Sequence, residues 1–93
     1  MIKSFADKET ERIFNREFSR KLPPDVQRSA RRKLEILDAA GTLQDLRSPP
    51  ANHLVKLAGK RQGQHSIRIN DQWRLCFVWI DTDAYRVEIV DYH

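Results

Sequence analysis

Apolar positions change their period once along this chain, and the change divides it in two. Ile13, Phe14, Phe18 and Leu22 fall at helical spacing with charges between them, which predicts a helix from about Asp7. Pro23 and Pro24 break it. A second helix is predicted from about Asp25, where Val26, Ala30, Lys33/Leu34, Leu37 and Ala40 keep the period and Gly41 sits at the expected stop. The two form an αα-hairpin. Ahead of them "MIKSF", apolar at Ile2 and Phe5, predicts a short opening strand. After the connector "TLQDLRSPPANH", where Pro49 and Pro50 forbid a regular helix, the period becomes two. "HLVKLAG", "HSIRIN", "WRLCFVWI" and "YRVEIVDY" read as four strands. The order β-α-α-β-β-β-β is an α+β plan, with two helices packed on one side of a mainly antiparallel twisted sheet.

Register fixes which residues share a face. Ile67 and Ile69, then Trp73, Leu75, Phe77 and Trp79, then Tyr85, Val87 and Ile89 are all odd-numbered. They line one core face only if paired positions sum to an even number, because a slip of one residue turns a whole strand over. Both hairpins are therefore expected to have odd loops, Asn70-Asp71-Gln72 in the first and Ile80 to Ala84 in the second. The even face then sets Arg68 beside Arg74, with Tyr92 on the same side. Opposed like charges cost about 0.2–1 kcal/mol on a sheet, so the pair predicts a bound anion, with phosphate the obvious one. Glu88 on the neighbouring strand is the competing partner, but one carboxylate against two arginines leaves the face basic.

Composition narrows the class. The chain has 93 residues, 40% of them hydrophobic, which is the size of one domain spanning 1–93. No apolar run approaches a membrane span, and "MIKSFADKETER" has no stretch of signal-peptide length. The single cysteine, Cys76, has no internal partner, which fits a reducing compartment; in a strand it reads as a small buried apolar residue. Seventeen basic against 13 acidic side chains give a formal charge of +4, and eleven of the basic ones are arginines. The planar fork of arginine suits phosphate, so nucleic acid is a candidate partner class, which charge alone does not separate from a solvated surface with ordinary ion pairs.

Two clusters carry candidate chemistry. "HLVKLAGKRQGQH" gathers Lys56, Lys60 and Arg61 around Gly59 and Gly63, with His53 and His65 at its ends; it is no Walker or dinucleotide motif. Asp91-Tyr92-His93 combines a titrating imidazole, a stacking ring and a carboxylate able to orient the imidazole. His53, His65 and His93 lack metal-ligand spacing, and no serine triad is present. Trp73 and Trp79 share the apolar face with Leu75 and Phe77 and are expected in the core.

"LVKLAGKRQGQHSIRINDQWRLCFVW", the closing "VEIVDYH", the opening "MIKSF" and "LDAA" after the second helix together resemble the HigB-like branch of the RelE/ParE toxin superfamily. The likeness spans nearly the whole chain and is most specific from Gly59 to His93. It implies the toxin of a bacterial toxin–antitoxin pair: a cytoplasmic endoribonuclease that enters the ribosomal A site and cuts mRNA without metal or cofactor. It also implies a helix-turn-helix antitoxin that binds toxin and operator DNA. Catalysis is then expected from Arg74 on the phosphate, His93 in proton transfer, Tyr92 on the nucleotide and Asp91 in orientation. Lys56, Lys60, Arg61, Arg68 and His65 are expected to hold RNA, and the last residues of the chain to be the site itself, so that a C-terminal extension would harm activity more than folding. Many such toxins carry Leu-His-Pro-Leu-Lys-Gly where this chain has "LVKLAG". Val55 thus replaces a histidine, and Ala58 a lysine. Two other functions follow from the superfamily and from this departure: a ParE-like gyrase inhibitor, or a weakly active toxin working through antitoxin binding and operon autoregulation.

Overall fold

The computed structural model describes residues 1–92. Helix α1 (Lys8–Phe14) starts where the Asp7 carboxylate accepts the Thr10 N–H at 2.7 Å, an N-cap that satisfies one of the orphan donors of the first turn. It stops at Phe14, eight residues short of the expected Leu22. Arg16 takes a left-handed conformation (φ 65°). Its N–H donates to the Ile13 carbonyl at 3.1 Å, and the Glu17 N–H to Arg12 at 2.8 Å, a Schellman closure with arginine in the usual glycine place. Phe18 is therefore exposed and Leu22 reaches the core from a connector. Gln27 ties that connector down: its amide donates to the Ser19 and Leu22 carbonyls at 2.7 and 2.6 Å and accepts the Ser19 N–H at 2.9 Å.

Helix α2 (Pro24–Ala39) opens on Pro24, whose fixed φ suits a first helical position. Proline thus starts this helix as well as separating it from α1. Val26, Ala30, Leu34 and Leu37 form its buried stripe. The cap is Ala40, in extended conformation, rather than the expected Gly41.

Strands β1 (Val55–Lys56), β2 (His65–Arg68), β3 (Trp73–Ile80) and β4 (Asp83–Asp91) form an antiparallel sheet in chain order. The "HLVKLAG" strand shrinks to two residues because the chain turns into a short 3-10 segment at Gly59–Arg61. The first hairpin has the expected register, Ile67 opposite Leu75 and Arg68 opposite Arg74. The second keeps it from Leu75–Ile89 to Cys76–Glu88 and then loses it. Arg86 and Val87 together face Phe77, with Arg86 left-handed (φ 52°), and Val78 meets Tyr85. This β-bulge changes the parity, so the hairpin closes on two residues, Asp81-Thr82, instead of an odd loop. Ala84, not Tyr85, is buried in the core face.

The opening segment runs beside β4 and pairs through two parallel bridges, Ile2–Ala84 and Phe5–Val87. The bulge between them interrupts what would otherwise be a continuous fifth strand. Both helices pack on the odd face, where Leu34, Leu37, Ile67, Leu75, Phe77 and Val87 are fully buried and Trp73 and Trp79 lie at the margin. Among the described residues no helix is long and apolar enough to cross a membrane.

Candidate nucleic-acid interface

The even face of the sheet carries the basic cluster. Arg74 on β3 stands directly across from Arg68 on β2. Its guanidinium is anchored on one side: Nε donates to Ser66 Oγ at 2.8 Å and one terminal nitrogen to the His53 carbonyl at 2.6 Å. Burial pulls the Arg74 pKa below the ordinary guanidinium value; Arg68 pushes the same way, while Cys76 and Tyr92 oppose. Arginine stays protonated even so. Among the described residues Arg74 has no carboxylate partner. Arg68 pairs with Asp71, whose side chain is 99% exposed, so water screens that pair strongly.

Glu88 takes neither of these arginines. It binds Arg61 at 2.6 Å and, with its hydrogen bond, raises the Arg61 pKa. This pair draws the Gly59–Arg61 segment towards β4, above Cys76, which lies opposite Glu88 and is fully buried. Burial pushes the Cys76 thiol pKa up. Lys60 projects from the same segment and is exposed.

Tyr92 lies two residues beyond Val90, the partner of Arg74, and is 43% exposed. Its N–H donates to the Gln72 carbonyl at 2.6 Å. Asp91 lies opposite Trp73, hence on the other side of the strand from Tyr92, and accepts the Gln72 amide at 3.2 Å. His93 lies outside the described residues.

Two expected RNA-binding residues do not join the cluster. His65 pairs with Phe77, stacks on its ring at 6.1 Å and belongs to the core face. Lys56 is across from His65, on that same side. Val55, by contrast, is across from Ser66 and so on the Arg74 side. It presents an exposed apolar side chain there.

Two contributors were missed from the sequence. Lys33, in the helix layer on the odd side, braces the Asn52 loop through its ammonium instead of joining the cationic surface; burial lowers its pKa first, and Arg68 and Arg32 add to the shift. His53 contributes its carbonyl, not its imidazole. Helical spacing gave Lys33 only as part of an amphipathic stripe, and nothing in "PPANH" marks a backbone acceptor.

His65 gives a pH prediction. Its Nδ1 is buried with no hydrogen-bond partner among the described residues, and burial, then Lys56, lower its pKa below 6.5. The unfolded chain, at the ordinary value of about 6.5, therefore binds more protons as pH falls below that value. Stability is full above it and declines as pH drops towards the folded pKa. Urea midpoints of wild type should fall between pH 7.5 and pH 5.5 by more than those of His65→Phe. Equal falls in the two proteins would contradict this.

Fold and face together describe a small α+β domain with a cationic sheet surface. The family model of the RelE-like toxin of type II toxin-antitoxin system HigB matches residues 3–93. The chain belongs to this HigB-like toxin family. It is 43% identical over 82 residues to Toxin HigB-1 of Vibrio cholerae serotype O1, covering 87% of this chain and 86% of that protein. It is 31% identical over 93 residues to Endoribonuclease HigB of Proteus vulgaris, covering all of both. A chain of the YoeB-YefM complex from Staphylococcus aureus shares the fold, with a TM-score of 0.61 and 19% identity over 100% of this chain and 95% of that one.

Proposed function

We propose that this toxin is a ribosome-dependent endoribonuclease that cuts mRNA in the A site, using side chains alone. The 2′-hydroxyl of one nucleotide attacks the adjacent phosphate and the 5′ oxygen leaves. The observation that carries this reading is the anchored Arg74 guanidinium, with no carboxylate partner among the described residues and facing a second arginine. Such a fork grips two phosphate oxygens and offsets the charge that grows on them. His93 transfers the proton, Asp91 orients it, and Tyr92 stacks on a base. Arg68, Arg61 and Lys60 hold backbone phosphates. Lys56 serves from the rim, and His65 supports the strand by packing. The relative named Endoribonuclease HigB supports the reaction class, and the structural neighbour, a two-protein complex, supports an antitoxin partner. That partner is a helix-turn-helix protein through which the toxin reaches operator DNA, and the pair works in the cytoplasm.

Val55 favours a slow variant of this activity. It stands on the Arg74 face where many relatives of this type place a proton-transferring histidine. In that reading antitoxin binding and operon autoregulation carry more of the biological effect.

Purified toxin added to ribosomes programmed with a defined mRNA should cut at the A-site codon, and His93→Gln should lose on the order of 10²–10⁴ in rate. Intact mRNA together with inhibited gyrase supercoiling would replace the ribonuclease reading with the ParE-like one. Intact mRNA with tight antitoxin binding would leave the regulatory reading alone.

A further inference from the structure

We propose that Asn52 is a positioning residue that sets the orientation of the Arg74 guanidinium through the backbone of His53. It deepens the ribonuclease reading and rests on it for its catalytic consequence.

Asn52 is a fully buried polar side chain outside the cationic cluster, and both ends of its amide are hydrogen-bonded. Nδ2 donates to the Leu46 and Ser48 carbonyls, each at 3.2 Å. Oδ1 accepts from Lys33 Nζ at 2.5 Å. A buried amide bonded through both its donors and its oxygen holds its backbone firmly, because any shift leaves a desolvated donor or acceptor unpaired. The next residue takes an unusual conformation: His53 is left-handed, at φ 44° and ψ 60°. Side chains with a Cβ rarely stay there unless the surroundings hold them. The His53 N–H closes the Pro50–Asn52 turn onto the Pro50 carbonyl at 3.1 Å. The turn so fixed aims the His53 carbonyl at Arg74, the 2.6 Å bond.

Arg74 thus has two anchors of different origin. Ser66 comes from the neighbouring strand, and the His53 carbonyl comes from a loop pinned by Asn52 to α2. Ser66 alone offers the Nε–H a 2.8 Å bond and the terminal nitrogen only a long 3.5 Å contact to its carbonyl, which holds the guanidinium plane loosely. The second anchor fixes the plane of the fork, which decides whether two phosphate oxygens are met together. Lys33 belongs to the same device. Its ammonium tethers Asn52 to the helix layer.

The variants Asn52→Ala and Asn52→Asp test this; the second keeps the shape and loses the amide donor. Three quantities are read: thermal midpoint, hydrogen exchange of the Arg74 Nε–H by NMR, and single-turnover cleavage on programmed ribosomes. In a folded variant the Nε–H should exchange about tenfold faster or more, because its bond to Ser66 is no longer braced. The cleavage rate at saturation should fall on the order of 10- to 100-fold, with half-saturation changed by less than about twofold. Asn52→Ala combined with Arg74→Lys should be no slower than Arg74→Lys alone. Unchanged Nε–H exchange, or full additivity in the double variant, would reduce Asn52 to a loop-stabilising residue. Should both variants fail to fold, native-state exchange of wild type decides. The His53 N–H and the Arg74 Nε–H should open with the same urea dependence, and independent openings overturn the proposal. The exchange measurements need no RNA. A wild-type protein without nuclease activity would therefore refute the ribonuclease reading while the role of Asn52 was still decided.

Discussion

Replacing Arg74 with alanine should lower RNA cleavage at saturating programmed ribosomes by on the order of 10²–10³-fold, the cost of losing one well-placed donor group at a developing charge. A guanidinium has five N–H donors. In Arg74 the Nε–H is committed to Ser66 and part of one terminal nitrogen to His53. The same nitrogen also lies 3.5 Å from the Ser66 carbonyl, and among the described residues no carboxylate competes for the remaining donors. Charge increases on the phosphate as the 2′-oxygen adds, so a donor held in advance gains more in the transition state than in the ground state. The loss should fall on the rate more than on ribosome binding, because Arg68, Arg61 and Lys60 still attract backbone phosphates. Arg74→Lys should fall between wild type and alanine, since it keeps the charge and loses the fork. Folding should lose on the order of 1–3 kcal/mol, because alanine leaves the fully buried Ser66 hydroxyl and the His53 carbonyl without their partner, and relief of the repulsion from Arg68 offsets only part of this. Wild-type cleavage by Arg74→Ala would move the phosphate role to Arg68 or Lys60. A loss confined to ribosome binding would make Arg74 a docking contact only.

The face that holds Arg74 was legible through parity alone. Odd positions carry the bulky residues of β2 and β3, so Arg68 and Arg74 had to share the opposite side, and the loop Asn70-Asp71-Gln72 followed. The same rule placed His65 inward with Ile67 and Ile69, which is where it stacks on Phe77. Its grouping with the RNA-binding residues set motif above register. What stayed hidden has a common cause. The end of α1 and the bulge in β4 both depend on a left-handed arginine, Arg16 and Arg86. Glycine is the usual sequence signal for that conformation, and arginine gives none. The bulge then sent Tyr85 away from the core and let Ala84 in, a change that pattern alone cannot register. The path of residues 43–53 was equally silent. Pro49 and Pro50 excluded a helix, but only packing against α2 and β2 brings the His53 carbonyl to Arg74 and Asn52 to Lys33. Glu88 chose Arg61 over the two sheet arginines because the Gly59–Arg61 segment folds towards it, a tertiary event with no local signature.

Phe77→Ala should be the most destabilising single change in the sheet, by about 3–5 kcal/mol. Phe77 is fully buried. Its ring stacks on His65 at 6.1 Å and meets the edge of Trp79 at 6.4 Å. It also stands opposite the two bulged residues of β4, where the backbone is already committed to an irregular conformation and has little freedom to collapse into a void. A chain of 93 residues is expected to have a total stability of only about 5–14 kcal/mol, so the loss is a large share of it. The urea midpoint should fall with its slope unchanged, as for a native state that loses packing without changing its extent. Phe77→Leu should recover more than half of the difference by refilling most of the volume. Arg74 lies on the other face and is held by Ser66 and His53, so cleavage per folded molecule, measured in the cold, should remain near wild type. That separates packing from chemistry: a Phe77→Ala protein that is folded yet as inactive as Arg74→Ala would mean that the core layer sets the guanidinium position. A midpoint within about 1 kcal/mol of wild type would mean that the bulge and its flanking rings close the cavity after all.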